Sequence, residues 1–123
     1  MAETNEDLYR LFVHRREARK LEPGELIFNE GDEGDGMFIL TLGTVALKHD
    51  DTIVANVDGP TLFGEMALID SEPRSLTAVA VTDAEVVHIP TRHFWVLVHE
   101  TPNFARLVMR VMAQRIRSVG QTS

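Results

Sequence analysis

The chain is organised around one stretch, Phe63-Gly64-Glu65-Met66-Ala67-Leu68, which is followed after a short loop by Pro73-Arg74-Ser75-Leu76-Thr77. Gly64 lets the backbone come close to a ligand, and the free N–H groups of a short helix predicted from Glu65 to Ile69 would point towards an anion. Arg74 adds a planar guanidinium that can hold two phosphate oxygens at once, and Ser75 adds a hydroxyl and another N–H. Together these residues predict an anion-binding site.

A glutamate stands in the middle of this predicted anion site. The carboxylate of Glu65 would repel a phosphate, so it is useful only if it accepts hydrogen bonds from hydroxyl groups of the same ligand. A ligand that carries both a phosphate and a ribose meets this requirement. The alternative is an internal ion pair between Glu65 and Arg74 in a domain that binds no ligand.

The stretch resembles the phosphate-binding cassette of cyclic nucleotide-binding domains. In that family Phe-Gly-Glu-x-Ala-Leu is followed by Pro-Arg, then Ser, Thr or Ala, and then Ala. Leu76 stands where the family usually has alanine. The matching positions are Phe63, Gly64, Glu65, Ala67, Leu68, Pro73, Arg74 and Ser75.

This resemblance implies a role for each residue of the cassette, residues 63–77. Arg74 would bind the cyclic phosphate, Glu65 would accept a hydrogen bond from the ribose 2′-hydroxyl, and backbone groups would complete the site. Leu68 would couple the ligand to the C-terminal helices. The ligand would be cyclic AMP, with cyclic GMP left open. The implied ligand-binding residues are Phe63, Gly64, Glu65, Met66, Ala67, Arg74, Ser75 and Leu76.

Length and composition indicate one globular domain. The 123 residues are 44% hydrophobic, which is enough for a single core but not for two ordinary ones. The absence of cysteine excludes disulfides and thiolate metal sites. No segment is long and apolar enough to cross a membrane, and the polar N-terminus lacks the pattern of a secretory signal. We therefore expect a cytoplasmic protein without membrane contact.

The net charge of −7 is unevenly distributed along the chain. Between Glu22 and Glu100 the basic residues are Lys48, Arg74 and Arg92, and the other arginines lie in the two terminal regions. Such an acidic body would repel nucleic acid, so no nucleic-acid partner is expected. The arginines of the terminal regions are interpreted as solvated helix faces.

Strand patterns fill the middle of the chain, and helical patterns lie at both ends. An amphipathic helix is predicted from residue 6 to about residue 20, and Thr91 is the expected N-cap of a C-terminal helix. A second C-terminal helix should begin at Pro102 and end before Gly120. Strands are predicted at 25–29, 37–42, 45–49, 52–57, 76–81 and 84–89, with 37–42 too apolar to have one solvated face.

These elements indicate a mainly β protein with flanking helices. The short strands and glycine turns favour a compact barrel or sandwich, and the resemblance implies an eight-stranded jelly-roll (double-stranded β-helix) barrel. The domain divides into an N-terminal helix (1–20), the barrel (21–90) and the C-terminal helices (91–123).

Other functions have weaker support in the sequence. The histidines at 14, 49, 88, 93 and 99 are scattered, and no catalytic motif is present, so neither an enzyme nor a metal site is expected. Asp32, Glu33 and Asp35 lack the spacing of a calcium loop and are interpreted as a turn. The prediction is a stand-alone cyclic nucleotide sensor that acts on a separate, unidentified effector. The alternative is a ligand-free structural or interaction domain.

Two features of the last helix concern partners and selectivity. Its wide apolar stripe predicts a weak homodimer through residues 103–117. By resemblance, Val119 stands near the position that selects the base, and valine has no group to read a purine. We therefore expect cyclic AMP and cyclic GMP to differ in affinity by less than about a factor of ten.

Overall fold

The computed structural model describes residues 18–122, with side chains up to residue 117, and this part of the chain contains eight strands and three helices. The strands are β1 (Arg19–Leu21), β2 (Leu26–Phe28), β3 (Met37–Leu42), β4 (Thr44–His49), β5 (Thr52–Asp58), β6 (Thr61–Phe63), β7 (Thr77–Ala80) and β8 (Ala84–Ile89). The helices are α1 (Met66–Asp70), α2 (Thr91–Glu100) and α3 (Pro102–Thr122).

The strands form two antiparallel sheets of four strands each. The first sheet has the order β1-β8-β3-β6, and the second has the order β2-β7-β4-β5. Phe38 of β3 is paired with Phe63 of β6, the residue with which the cassette begins. The pairing of β3 with β6 therefore holds the start of the cassette against the centre of the first sheet.

Strand β3 is buried on both faces. Side chains alternate along a strand, so Phe38 and Leu40 point one way while Met37 and Ile39 point the other way. Phe38 and Leu40 pack between the two sheets, and Met37 and Ile39 pack against the C-terminal helices. The first sheet is thus the middle layer of the domain, as the prediction that this strand has no solvated face requires.

Helix α3 covers the first sheet with one apolar face. Phe104, Leu107, Val108 and Val111 are each at most 3% exposed, and they recur every three or four residues. Burying a side chain of this size stabilises the fold by about 1.5 to 3 kcal/mol. The helix is therefore held firmly by its first three turns. Among the described residues, no helix combines the length and apolar character needed to cross a bilayer.

The predicted class, mainly β with eight strands and flanking helices, is confirmed. Strands β1 and β6 were not predicted from the residue pattern. The predicted N-terminal helix lies mostly outside the described residues, but Arg19 and Lys20 belong to β1 instead.

Two predicted helix ends were wrong. Thr91 is the first residue of α2, and Pro90 occupies the N-cap position in an extended conformation. Helix α3 begins at Pro102 as predicted, but it continues through Gly120 to Thr122. A single glycine costs a helix only about 1 kcal/mol relative to alanine, so it does not have to end one. The side chain of Val119 lies outside the described residues.

Candidate functional site

One cavity of about 230 Å³ lies between α1, the end of β6 and the segment that leads into β7. It is lined by every residue of the ligand-binding set proposed from the sequence: Phe63, Gly64, Glu65, Met66, Ala67, Arg74, Ser75 and Leu76. The cavity is also lined by Phe28, Leu47 and Arg115, which the sequence did not indicate. The two halves of the cassette therefore face one common space.

The backbone of Arg74 is held by the glycine-rich turn between β2 and β3. The N–H of Arg74 donates to the carbonyl of Asp32 at 2.8 Å, and the N–H of Gly31 donates to the carbonyl of Arg74 at 2.8 Å. The carboxylate of Asp32 in turn accepts a hydrogen bond from the N–H of Asn29 at 2.9 Å. Asp32 therefore stabilises a turn, as the interpretation of this acidic segment predicted.

The side chain of Arg74 is buried and positioned by carbonyl groups and an aromatic ring. Nη1 donates to the carbonyl of Gly64 at 2.8 Å, and Nη2 donates to the carbonyl of Gly36 at 3.0 Å. The guanidinium carbon lies 4.3 Å from the centre of the Phe28 ring, within the range of a cation–π contact. The Nε atom is buried without a hydrogen-bond partner among the described residues. A buried cation thus lines the cavity.

Burial lowers the pKa of the Arg74 guanidinium, and the nearby carboxylates of Asp35, Asp32 and Glu65 act in the opposite direction. An arginine remains charged in spite of such a shift. Because the charge is held in a poorly solvated place, an anion that enters the cavity would interact with it more strongly than in water.

Gly64 is required by the position of this guanidinium. Its φ of +79° is a left-handed conformation that other residues rarely adopt, and a β carbon there would lie 2.8 Å from Nη1 of Arg74. Glycine therefore permits both the turn into α1 and the approach of the arginine.

The carboxylate of Glu65 is paired with Arg115 of helix α3. Nη1 of Arg115 lies 3.1 Å from Oε1 and 3.3 Å from Oε2, and the Glu65 side chain is only 7% exposed. Nη2 of Arg115 donates to the carbonyl of Leu62 and lies 3.4 Å from the hydroxyl of Thr61. In the part of the chain that the structure describes, the alternative of a Glu65–Arg74 ion pair is therefore wrong. Glu65 pairs with the C-terminal helix instead.

Arg115 also contradicts the interpretation of the C-terminal arginines as solvated faces. It follows Val111 by four residues and so continues the buried stripe of Phe104, Val108 and Val111. A basic residue on the apolar face of an amphipathic helix is the signal that could have identified it. The pattern alone would not have indicated Glu65 as its partner.

Leu68 is the cassette residue that is buried in the core beneath the C-terminal helices. It is 6% exposed and belongs to the cluster that contains Phe94 of α2 and Phe104, Leu107 and Val108 of α3. The residue proposed to couple the cassette to the C-terminal helices thus contacts the core that those helices share.

A second, larger crevice shares two lining residues with the cavity. This crevice of about 540 Å³ lies between β5 and α3, and its lining includes Asn56, Asp58 and Gln114. Leu47 and Arg115 line both spaces. The two spaces are therefore adjacent at these two residues.

One surface group has donor atoms close enough for a cation. The side chains of Glu30, His49 and Asp50 offer atoms within 4.8 Å of one another at the tip of the β4–β5 hairpin. Nδ1 of His49 lies 3.0 Å from Oε2 of Glu30, so these two groups already form a hydrogen-bonded pair. We interpret these three side chains as a polar cluster at the surface.

Comparison with known proteins identifies the family. The family described as "Cyclic nucleotide-binding domain" matches residues 18–101. The cAMP-dependent protein kinase regulatory subunit of Eremothecium gossypii is 43% identical over 74 residues, which cover 59% of this chain and 16% of that protein. The Cyclic AMP receptor protein of Thermus thermophilus is 32% identical over 105 residues, which cover 80% of this chain and 49% of that protein.

A solved structure has the same architecture. The crystal structure of Thermus thermophilus catabolite activator protein matches with a TM-score of 0.75 at 28% identity, covering 99% of this chain and 58% of that one. This chain belongs to the cyclic nucleotide-binding domain family. It spans less than two thirds of the length of each of these three proteins.

Proposed function

We propose that this domain binds a cyclic mononucleotide, cyclic AMP or cyclic GMP, and regulates a separate effector in response. The observation that carries the proposal is a buried cation and a buried carboxylate, Arg74 and Glu65, which line one cavity. Membership of the cyclic nucleotide-binding family and the names of the relatives support the same ligand class.

Arg74 takes the cyclic phosphate in this proposal. Its contacts with two carbonyls and the Phe28 ring fix the guanidinium before the ligand arrives, so little side-chain entropy is lost on binding. The guanidinium lines the cavity, so a phosphate that enters gains a charge-assisted contact.

Glu65 accepts a hydrogen bond from the ribose hydroxyl in this proposal. A carboxylate is an acceptor only, so it recognises a donor, and its two oxygens keep acceptor capacity beside the one nitrogen of Arg115 that contacts them. The separation of one basic and one acidic group orients a ligand that carries charge at one end and hydroxyls at the other. The remaining members of the predicted set supply backbone groups and apolar lining.

The proposal also includes the shape of the domain, the absence of a chemical reaction and the route of signalling. The two sheets close into the jelly-roll barrel of the family, and the domain binds its ligand without chemical conversion. Leu68 transmits the occupation of the cassette to α2 and α3.

The second candidate, a ligand-free interaction domain, is favoured by Leu76 at a position where the family usually has alanine.

Titration calorimetry with cyclic AMP and cyclic GMP tests the proposal. A ligand of about 22 heavy atoms at roughly 0.3 kcal/mol per atom should bind with about −7 kcal/mol, which corresponds to a dissociation constant near the micromolar range. Arg74→Ala should weaken binding by about 1.5 to 3 kcal/mol because a charge-assisted contact is lost.

The matched control is Arg92→Ala, which removes an exposed arginine of α2 and should leave the affinity unchanged. If neither nucleotide binds the wild-type domain, the ligand-free alternative replaces the proposal. Equal affinities of the wild type and Arg74→Ala would contradict the role of the cassette.

A further inference from the structure

The glycine-rich turn between β2 and β3 contacts both halves of the cassette. On one side its backbone exchanges hydrogen bonds with Arg74, which accepts from the N–H of Gly31 and donates to the carbonyl of Asp32, each at 2.8 Å. The carbonyl of Gly36 also accepts a hydrogen bond from Nη2 of Arg74 at 3.0 Å. On the other side the turn packs against helix α1. The relative position of the two halves therefore depends on this turn.

The contact between the turn and α1 is made by Gly34. A β carbon at this position would lie 2.2 Å from the β carbon of Ala67 and 3.5 Å from the carbonyl oxygen of Glu72, so only a hydrogen atom fits there. Gly34 is not among the glycines with a left-handed φ, so its backbone conformation does not require glycine. The requirement comes from the close approach of Ala67 instead.

We propose that the contact between Gly34 and Ala67 is a spacer that sets the distance between the Glu65 carboxylate and the Arg74 guanidinium. This inference rests on the proposed function, and it makes Gly34 a positioning residue that determines the specificity of the site. The site favours a ligand that presents an anionic group and a hydroxyl group at one fixed separation over a ligand that carries only one of the two.

Both charged groups belong to segments that the turn holds in place. Glu65 immediately precedes α1, and its carbonyl accepts a hydrogen bond from the N–H of Leu68 at 3.0 Å, so its backbone moves with the helix. Arg74 is bound to the turn through its backbone and its guanidinium. A binding site works well only while its groups stay within about 0.5 Å of the productive geometry. A shift of α1 relative to the turn therefore decides whether one ligand reaches both groups.

The first test adds a methyl group to this contact. Two carbon atoms in ordinary contact lie about 3.5–4.0 Å apart, so Gly34→Ala forces the turn and α1 apart by about 1 Å or more. Calorimetry should show about tenfold weaker binding of cyclic AMP, because the hydrogen bond to Glu65 is lost while Arg74 still holds the phosphate. The 2′-deoxy analogue of cyclic AMP offers Glu65 no hydroxyl, so its affinity should change little. The ratio of the two affinities should therefore fall from about tenfold or more in the wild type to about threefold or less.

The second test moves the methyl group from one side of the contact to the other. Once the β carbon of Ala67 is removed, the nearest atoms to a β carbon at position 34 are the Glu72 oxygen at 3.5 Å and the α carbon of Ala67 at 3.6 Å. Both are ordinary contact distances, so the double variant Gly34→Ala/Ala67→Gly should restore the ratio of affinities.

A third variant keeps the test valid if Gly34→Ala folds poorly. Ala67→Gly alone leaves a gap at the spacer and lets α1 shift, so it should also lower the ratio of affinities. The cost of a glycine in α1 is the same in Ala67→Gly and in the double variant, so it cancels when these two are compared. Adding Gly34→Ala to Ala67→Gly should therefore raise the ratio again.

Gly24→Ala is the matched control. It makes the same substitution in an exposed turn, where the added β carbon has nothing within 4 Å, and its left-handed φ of +87° should lower stability without affecting the cassette. Both nucleotides should bind to this variant as they bind to the wild type. Urea denaturation measures the free energy of unfolding of each variant separately from its affinity.

The outcomes separate the two proposals. Binding of cyclic AMP to the wild type, with an unchanged ratio of affinities in Gly34→Ala and in Ala67→Gly, would overturn the spacer alone. A double variant no better than Ala67→Gly, or an equal change in Gly24→Ala, would also overturn it, because the effect would not depend on the contact. Equal affinities of the wild type for cyclic AMP and its 2′-deoxy analogue would overturn the role of Glu65 and with it the spacer. Absence of binding to the wild type would overturn the proposed function and this inference together.

Discussion

The guanidinium of Arg74 lies over the ring of Phe28, with 4.3 Å between the guanidinium carbon and the ring centre. Phe28 is itself packed against Phe38 and Phe63, whose ring centres lie 5.7 and 6.1 Å away. Phe28 is thus the ring of this aromatic cluster that contacts Arg74, the basic side chain that the cassette places in its cavity. Strand β2, which supplies Phe28, lies about 45 residues earlier in the chain than Arg74.

Replacing Phe28 should weaken ligand binding without abolishing it. Phe28→Leu keeps apolar contact but removes the ring face, so the cation–π contribution of about 0.5 to 2 kcal/mol should be lost from the affinity for cyclic AMP. Calorimetry measures the change, which should be smaller than that of Arg74→Ala. An affinity equal to that of the wild type would mean that the ring does not orient the guanidinium.

Gly64 should be intolerant of any side chain. Gly64→Ala imposes a left-handed strain of about 1 to 2 kcal/mol and brings a β carbon to 2.8 Å from Arg74. Both the free energy of unfolding and the affinity should fall. The control is Gly24→Ala, which has a similar φ of +87° but open space around its β carbon. Urea denaturation should show a lower free energy of unfolding in both variants. Calorimetry should show weaker binding in Gly64→Ala alone.

Leu68 should contribute to stability and to coupling. Leu68→Ala leaves a cavity in the core shared with Phe94 and Phe104, and it should destabilise the domain by about 2 to 5 kcal/mol. Leu42→Ala, at a 56% exposed position, should change stability by less than about 0.5 kcal/mol.

Fluorescence of Trp95 tests the coupling role of Leu68. Trp95 lies edge-on to Phe94, with 4.9 Å between the ring centres, and Phe94 belongs to the same core cluster as Leu68. Saturating cyclic AMP should therefore change the emission of the wild-type domain. The milder Leu68→Val should reduce that change, and constant emission in the wild type would argue against movement of α2.

Self-association should depend on one face of α3. Met109 and Ile116 are 61% and 71% exposed, and their spacing of seven residues places them on the same side of the helix. Ile116→Glu should shift any dimer towards the monomer in sedimentation at high protein concentration. Val81→Glu changes an exposed apolar residue elsewhere and should have no effect. A monomer at all concentrations would contradict the predicted weak homodimer through residues 103–117.

Acid should remove one local contribution to stability. Hydrogen bonds from the N–H of Glu22 and from Arg19 lower the pKa of the Glu25 carboxyl below its ordinary value of 4.5. A lowered folded-state pKa means that the contribution is complete above the unfolded-state pKa and is lost as the pH falls through the folded-state pKa. The Tm difference between the wild type and Glu25→Gln should therefore be largest near neutral pH and shrink below about pH 4. A constant difference would exclude the carboxylate as its source.

Much of the fold follows from local patterns. The apolar run 37–42 and the alternating run 84–89 were predicted as strands with the bounds that β3 and β8 have. Strand β1 was missed because Arg19 and Lys20 were assigned to the end of the predicted N-terminal helix, and β6 was missed because it runs directly into the cassette. The N-cap at Thr91 was mistaken because the chain already enters the helix from an extended Pro90.

The sequence by itself determined the cassette. Gly64, Glu65 and Arg74 lie within one short segment, and the glycine conformation and charge order that the site needs are properties of that segment. The partners of these side chains were decided by the tertiary structure alone. Phe28 reaches Arg74 from another strand, and Arg115 reaches Glu65 from a helix 50 residues away. Periodicity states which face of an element is buried, but it does not state what that face meets, because the partner depends on how the sheets and helices pack together.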